Sequence, residues 1–279
     1  MHHRHPGRKA PKKKLPHKPS EKQELLLQTP KLINWAALVR VVHLERDLVV
    51  VEKPAGLSTV WHPAELEQAR KQDLPPTLQG LLPGILRKLE GPGGLKGRLP
   101  PLRVVQRLDI GTSGLLVFAR TLIAERSLGQ QFRQHSVTRS YLAVVRGVLP
   151  GHRRLESHLV ENRGDGLRGS HPRQGKQAIT HVRPLEVLGD YTLVECRLET
   201  GRTHQIRIHL AEIGHPLCGE RVYNRQPFQS VVPDPSGAPR VMLHAGELGF
   251  RHPRSHAALH FSMAPPQDFQ DFLETLRKK

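Results

Sequence analysis

The sequence predicts a domain in which short strands and amphipathic helices are mixed along the chain, and three stretches carry that expectation. Leu115 to Ala119 is a continuous apolar run bounded by Gly114 and Arg120, the pattern of a strand covered on both faces. Gln177 to Val187 and Tyr191 to Leu198 are strand-like runs joined across Gly189-Asp190, as in antiparallel pairing. Ala124, Leu128 and Phe132 recur at four-residue spacing, which marks one face of a helix.

With 279 residues the chain is long enough for one large domain or two small ones. Its charge is the sharper property: 43 Lys and Arg against 25 Asp and Glu leave a net +18. So basic a chain fits a polyanionic partner, and nucleic acid fits better than a membrane because no basic amphipathic helix with bulky aromatics is present. Cys196 and Cys218 stand far apart with no C-x-x-C, which supports neither a zinc ribbon nor a disulfide framework. No apolar stretch approaches a bilayer span and the N-terminus has no apolar signal core, so a reducing, cytoplasmic setting is expected.

In chain order, residues 1–22 hold eight Lys or Arg and one Glu with almost nothing to bury, the composition of a disordered basic arm. His2, His3 and His5 read as part of that solvated tail, since no carboxylate or Cys completes a metal site. Residues 23–279 follow as the folded part of the chain. Glu24 to Arg40 suggest only a weak helix. Leu48 to Val51 form a short buried strand closed by Lys53-Pro54-Ala55-Gly56, where Pro54 forbids helix and Gly56 permits a sharp turn. Trp61 to Pro101 alternate polar helical stretches with a Gly-rich loop, and join two parts of the sheet.

Asp109 sits alone between two arginines and the buried run from Leu115. Gly111 to Gly114 are turn residues, so Asp109 is expected on a loop pinned at a strand end, a usual place for a catalytic group. Val137 to Val145 form a further apolar strand containing Arg139 and Tyr141. Residues 162–176 are polar, Gly-rich and basic, a mobile loop that closes on a phosphate backbone or an ordinary hairpin tip. In Leu198 to Pro216, Ile206, Leu210 and Ile213 fall on one helical face, Thr203 is the expected N-cap and Gly214 with Pro216 the stop. Arg202 is thereby placed at the positive end of a helix dipole, where it calls for a carboxylate partner. His204 and His209 lack a third ligand and are expected to make structural hydrogen bonds. Strands around Val241 to Phe250 and Ala258 to Met263 follow, then a helix introduced by Pro265-Pro266 with Phe269, Phe272 and Leu276 on one face. There is no internal repeat.

From about Leu48 onward the chain resembles the RluA-type pseudouridine synthases. The matching pieces are VVVEKPAGL at 49–57, RLDIGTSGLLVFA at 107–119, TRSYLAVVRG at 138–147, GKQAIT at 175–180, TGRTHQIRIHL at 200–210 with GHPLCGERVY following, and LHAGELGFRHP at 243–253. Several separate motifs in one order are far more specific than any single one. Two positions depart from the family pattern: Gln106 stands where histidine is usual, and Arg139 where lysine is common, keeping charge but changing donor geometry.

The resemblance implies an α+β fold with a mixed, largely antiparallel central sheet, flanking helices and a catalytic cleft, in one catalytic domain over residues 23–279 without a separate S4-type RNA-binding domain. It implies Asp109 as the essential aspartate, Arg202 as the arginine paired with it, and Tyr141 as the tyrosine that packs on the target base. It implies Arg107 as the side chain that fills the gap left by a flipped nucleotide, with Lys53, Arg139 and Lys176 as further RNA contacts. The reaction is an isomerisation, so no cofactor and no metal is implied. The expected partner is RNA, ribosomal or transfer, acted on by a monomer. The rival reading is a noncatalytic RNA-binding or ribosome-assembly protein on the same fold, against which the joint presence of Asp109, Tyr141 and Arg202 argues.

Overall fold

The computed structural model describes residues 33–61, 75–91, 101–225, 229–230 and 232–278. The basic arm expected over 1–22 lies outside the described residues, as does most of the weak helix expected from Glu24. What is described of that helix is one turn, α1 (Trp35–Leu38), and the chain is already strand by β1 (Arg40–Leu44).

The elements then run β2 (Leu48–Lys53), α2 (Leu78–Glu90), β3 (Arg103–Val104), β4 (Ser113–Ala119), α3 (Leu122–Arg133), β5 (Thr138–Arg146), β6 (Arg153–Val160), β7 (Gly169–Ser170), β8 (Lys176–Leu188), β9 (Tyr191–Leu198), α4 (Gln205–Glu212), β10 (Leu243–Arg251), β11 (Ala258–Ser262) and α5 (Gln267–Arg277). The described strands form one sheet in the order β1-β2-β4-β10-β5-β9-β8-β6-β7, with β11 on β10 and β3 on β4. Each named pairing is antiparallel except β4 with β10. This is the mixed, mostly antiparallel sheet with flanking helices that the sequence implies.

Alternation along the strands divides the core into two faces. Val49, Val51, Leu116, Phe118, Tyr141 and Ala245 pack with Leu78, Leu82 and Leu86 of α2 and Ile206 and Leu210 of α4. Leu48, Val50, Leu115 and Val117 point the other way, onto Ala124 and Leu128 of α3, while α5 covers Val144 and Leu193 with Phe269, Phe272 and Leu276. Every residue of β4 is buried, as its unbroken apolar run predicts. β4 meets β10 so closely that a Cβ on Gly114 would lie 2.3 Å from the Ala245 carbonyl oxygen, which leaves only glycine.

Helix α2 falls where the sequence suggests polar helical stretches, but its buried apolar face is not evident there. Pro83, Gly80 and Gly84 interrupt it, and all three disfavour helix interiors. It forms because Leu78, Leu82 and Leu86 bury fully at four-residue spacing and Thr77 caps the Gly80 N–H. No helix among the described residues is long and apolar enough to cross a membrane.

Candidate active site

Asp109 lies in the turn that leads into β4, and segments distant in sequence hold that turn. Thr59 Oγ1 donates to the Leu108 carbonyl at 2.9 Å and accepts from the Leu108 N–H at 3.2 Å. The Gly56 N–H donates to the Ile110 carbonyl at 2.7 Å, and the Thr112 N–H closes the turn on the Asp109 carbonyl. Arg240 donates to the Gly111 carbonyl and to Ser113 Oγ while both oxygens of Asp268 fix its guanidinium. The loop is pinned at a strand end as expected, with more anchors than local turn chemistry supplies.

Lys53 is one of those anchors. It is fully buried, and its Nζ donates to the carbonyls of Pro54 and Leu57 at 2.8 Å and of Ile110 at 3.2 Å. Burial pushes its ammonium down to about 7 while the nearby Asp109 carboxylate draws it back up; three carbonyl acceptors for three N–H donors match the charged form. The expectation that Lys53 contacts RNA is therefore corrected: its charge is spent on the backbone of the Asp109 loop. Arg139 is corrected for the same reason. Only 8% of it is exposed, its Nη2 donates to the Glu199 carbonyl, and its guanidinium stands 5.7 Å over the Phe132 ring. Arg107 and Lys176 are exposed.

The cation beside Asp109 is Arg207. Its Nη1 is 3.6 Å from Asp109 Oδ2. Arg202, expected in that role, instead donates from Nε to the Gln177 carbonyl at 3.0 Å. The helix also starts later than the sequence suggests: the N-cap is His204, not Thr203, and no side chain caps it. Its start is pinned by the buried amide of Gln205. Gln205 Oε1 accepts from the Arg202 N–H and from Thr200 Oγ1, and Nε2 donates to the Ile179 carbonyl and Thr180 Oγ1. α4 is buried nearly all round, through Gln205, Ile206, Ile208, His209 and Leu210, whereas Ile213 lies past its end and is exposed.

Glu220 orients Arg207, accepting from Nε at 2.7 Å and from Nη2 at 2.8 Å, the bidentate geometry that suits a guanidinium. Burial acts to raise the Glu220 carboxyl, but the bonds and charge of Arg207 outweigh it and hold the group below its ordinary range. Tyr223 lies under Arg207 at 5.2 Å from ring centroid to guanidinium, and its hydroxyl is 2.6 Å from His204 Nδ1. His204 Nε2 is 3.8 Å from Asp109 Oδ1. His209 has the structural role expected of it, between Ser157 Oγ and Thr180 Oγ1. Tyr141 is 8% exposed within the core; burial pushes its hydroxyl up, Arg139 opposes this, and Asp109 adds to it.

Asp109 thus presents a side chain 24% exposed, with cationic or N–H donors facing both oxygens. Arg207, Glu220 and Tyr223 were not singled out by their sequence pattern, and His204 was expected only to make structural hydrogen bonds. The available signal was a basic residue adjoining the apolar stripe of a helix, a placement that demands a buried acid. A surface pocket lined by His152, His181, Arg183, Glu195 and Arg197 contains none of the expected site residues.

A long mixed sheet with a carboxylate at the turn into a central strand defines a class. The chain has the pseudouridine synthase fold, seen in human RNA Pseudouridylate Synthase Domain Containing 4 (22% identity, TM-score 0.68, covering 92% of this chain and 98% of that one). Human RNA Pseudouridylate Synthase Domain Containing 1 is 25% identical with a TM-score of 0.58, over 86% of this chain and 95% of that one. In sequence, residues 47–212 match the RNA pseudouridylate synthase family. The uncharacterized RNA pseudouridine synthase YlyB of Bacillus subtilis is 38% identical over 240 residues, 85% of this chain and 73% of that protein. Ribosomal large subunit pseudouridine synthase D of Zymomonas mobilis is 39% identical over 242 residues, 83% of this chain and 71% of that protein. The chain belongs to the RNA pseudouridylate synthase family, isomerases that convert uridine to pseudouridine in RNA.

Proposed function

We propose that the chain isomerises specific uridines of large-subunit ribosomal RNA, with Asp109 as the catalytic carboxylate. The observation that carries this is the facing of Asp109 by Arg207 at 3.6 Å and His204 at 3.8 Å in a turn anchored by Lys53, Thr59 and Arg240. The preference for ribosomal over transfer RNA is supported by the names of relatives such as the Zymomonas mobilis enzyme.

The reaction breaks the bond from C1′ to N1 of uracil and makes one from C1′ to C5; the proton lost at C5 is matched by one gained at N1. Attack at C1′ or removal of a sugar proton both need an ionised carboxylate, and Arg207 supplies its counter-charge. A stacked uridine is out of reach, so it must be flipped out, at a cost of about a few kcal/mol that is least in a loop or bulge. Tyr141 is the proposed stacking partner for the extruded base, and Arg107 and Lys176 the proposed RNA contacts, since both are exposed.

The test is to incubate the protein with total RNA from a strain lacking it and map new pseudouridines by carbodiimide labelling and primer extension. Asp109→Asn is expected to lower turnover by about 10⁴-fold or more while RNA binding persists. Sites that still form with that variant would remove Asp109 from the chemistry.

A further inference from the structure

Helix α4 starts on a residue in an unfavourable backbone state. His204 has φ 59° and ψ 18°, in the left-handed region, and its side chain makes no capping bond. Among the described residues two other non-glycine residues, His135 and His256, have positive φ, and both are exposed. His204 differs in being turned inward, with a partner for each ring nitrogen. Disfavoured backbone that persists because its surroundings over-determine it is a mark of functional sites.

Nδ1 of His204 lies 2.6 Å from the Tyr223 hydroxyl, and the two rings meet edge to face at 5.5 Å. On the other side, Nε2 lies 3.8 Å from Asp109 Oδ1. The two oxygens of the carboxylate are therefore divided, Oδ2 facing Arg207 and Oδ1 facing His204. We propose that His204 is a positioning residue, whose Nε2–H, set by the Tyr223 hydroxyl, holds Asp109 Oδ1 in the orientation the reaction needs. The inference rests on the reading of Asp109 as the catalytic carboxylate.

The proton inventory agrees with the geometry. Burial pushes the Tyr223 hydroxyl up to about 12 although Arg207 pulls it down, so it keeps its proton and donates to Nδ1. Burial likewise holds the His204 imidazole below its ordinary range, against the pull of Asp109. A neutral ring accepting at Nδ1 carries its proton on Nε2, the atom facing Asp109. The charged groups facing the ring are Asp109 on the turn before β4, Arg207 on α4, Glu220 beyond α4 and Arg168 just before β7. At 3.8 Å the contact is longer than a hydrogen bond; it is expected to shorten when RNA fills the cleft, as donors at active sites often do.

Four variants test this by kcat, KM for RNA and the pH profile of kcat. Glycine adopts the left-handed backbone without strain, so His204→Gly is expected to fold with an unchanged or higher urea midpoint and to lose about 100-fold in kcat with KM within about twofold. Wild-type kcat in His204→Gly would reduce the residue to a helix start and overturn the proposal. His204→Gln keeps an N–H near the Nε2 position without titrating, and is expected to recover about tenfold over glycine; no recovery would count against the proposal. Tyr223→Phe removes the donor that keeps the neutral ring's proton on Nε2, so kcat is expected to fall at neutral pH and to recover toward wild type as the ring charges at lower pH and carries the Nε2–H again. A wild-type kcat across the profile would overturn the role of Tyr223. Asp109→Asn separates the two readings: activity in it removes the catalytic assignment itself, whereas an inactive Asp109→Asn beside a fully active His204→Gly refutes only the positioning role.

Discussion

The turn that carries Asp109 and the loop between β6 and β8 are both irregular, yet they are held by different kinds of contact. The Asp109 turn is bonded to Lys53, Gly56 and Thr59 from one side and to Arg240 from the other, all far away in sequence. The β6–β8 loop is held largely from within. Arg163 grips Asp165, and Asn162 Oδ1 accepts from the N–H groups of Gly164 and Gly166. Its outward ties include Ser170 to Glu212 and the His171 N–H to the His158 carbonyl. The expectation of either a mobile loop or a plain hairpin tip meets a third outcome, a loop with its own internal framework. The difference teaches that the carboxylate's geometry is a property of the whole fold, while the loop that carries Arg168, whose charge reaches His204 and Tyr223, takes its shape largely from its own residues.

The largest effect should come from Lys53→Met, which keeps the buried stem but strands the Pro54 and Leu57 carbonyls and leaves Ile110 with the Gly56 N–H alone. It is expected to cost about 3 kcal/mol in urea unfolding and to lower kcat through the displaced turn. A variant as stable as the parent would break the comparison at its strongest point. Next is Thr59→Val, nearly isosteric, which leaves the Leu108 N–H and carbonyl unpaired. A loss of about 2 kcal/mol is expected, with hydrogen exchange rising at Leu108.

Acid should reveal a third effect, belonging to the framework around both regions. His209 and His244 are buried neutral, each pushed down to about 4 from 6.5 by desolvation. When unfolded they bind a proton near 6.5, so their contribution is fully present above that pH and is lost as pH falls toward 4. Stability should decline through that window by on the order of 1–3 kcal/mol per group, and His209→Gln should flatten the decline; an unchanged slope would remove His209 from it. The smallest effect is expected from Asn162→Ala, about 0.5 kcal/mol, with faster amide exchange at Gly164 and Gly166 and none at β4. Faster exchange in β4 would show that the loop is coupled to the core after all.

Much of the fold was legible because its signals are local. The apolar run of β4, the paired runs of β8 and β9, and the four-residue spacing in α3 and α5 each report burial within one element. Asp109 was legible for the same reason, through the turn residues after it and the strand that follows. α2 was hidden by Pro83, Gly80 and Gly84, whose local preferences were overridden by the burial of three leucines. The partner of Asp109 was assigned to Arg202 by the family resemblance, and that residue's place at the expected helix end agreed with it. Gln205 moved that end to His204, and Arg207, inside the helix, came to face the carboxylate.

By itself the sequence determined which segments pair and pack, where the turns fall and, through ordered motifs, the family to which the chain belongs. Only the tertiary structure decided which cations serve the site and which serve the backbone. Lys53, Arg139, Arg202 and Arg207 are alike in charge, and periodicity does not distinguish them. The fate of a charge is set by the carbonyls and carboxylates that reach it, Ile110 for Lys53, Glu199 for Arg139, Gln177 for Arg202 and Glu220 for Arg207. Charges cannot be desolvated without such partners, and all four come from other segments of the fold than the cation they receive.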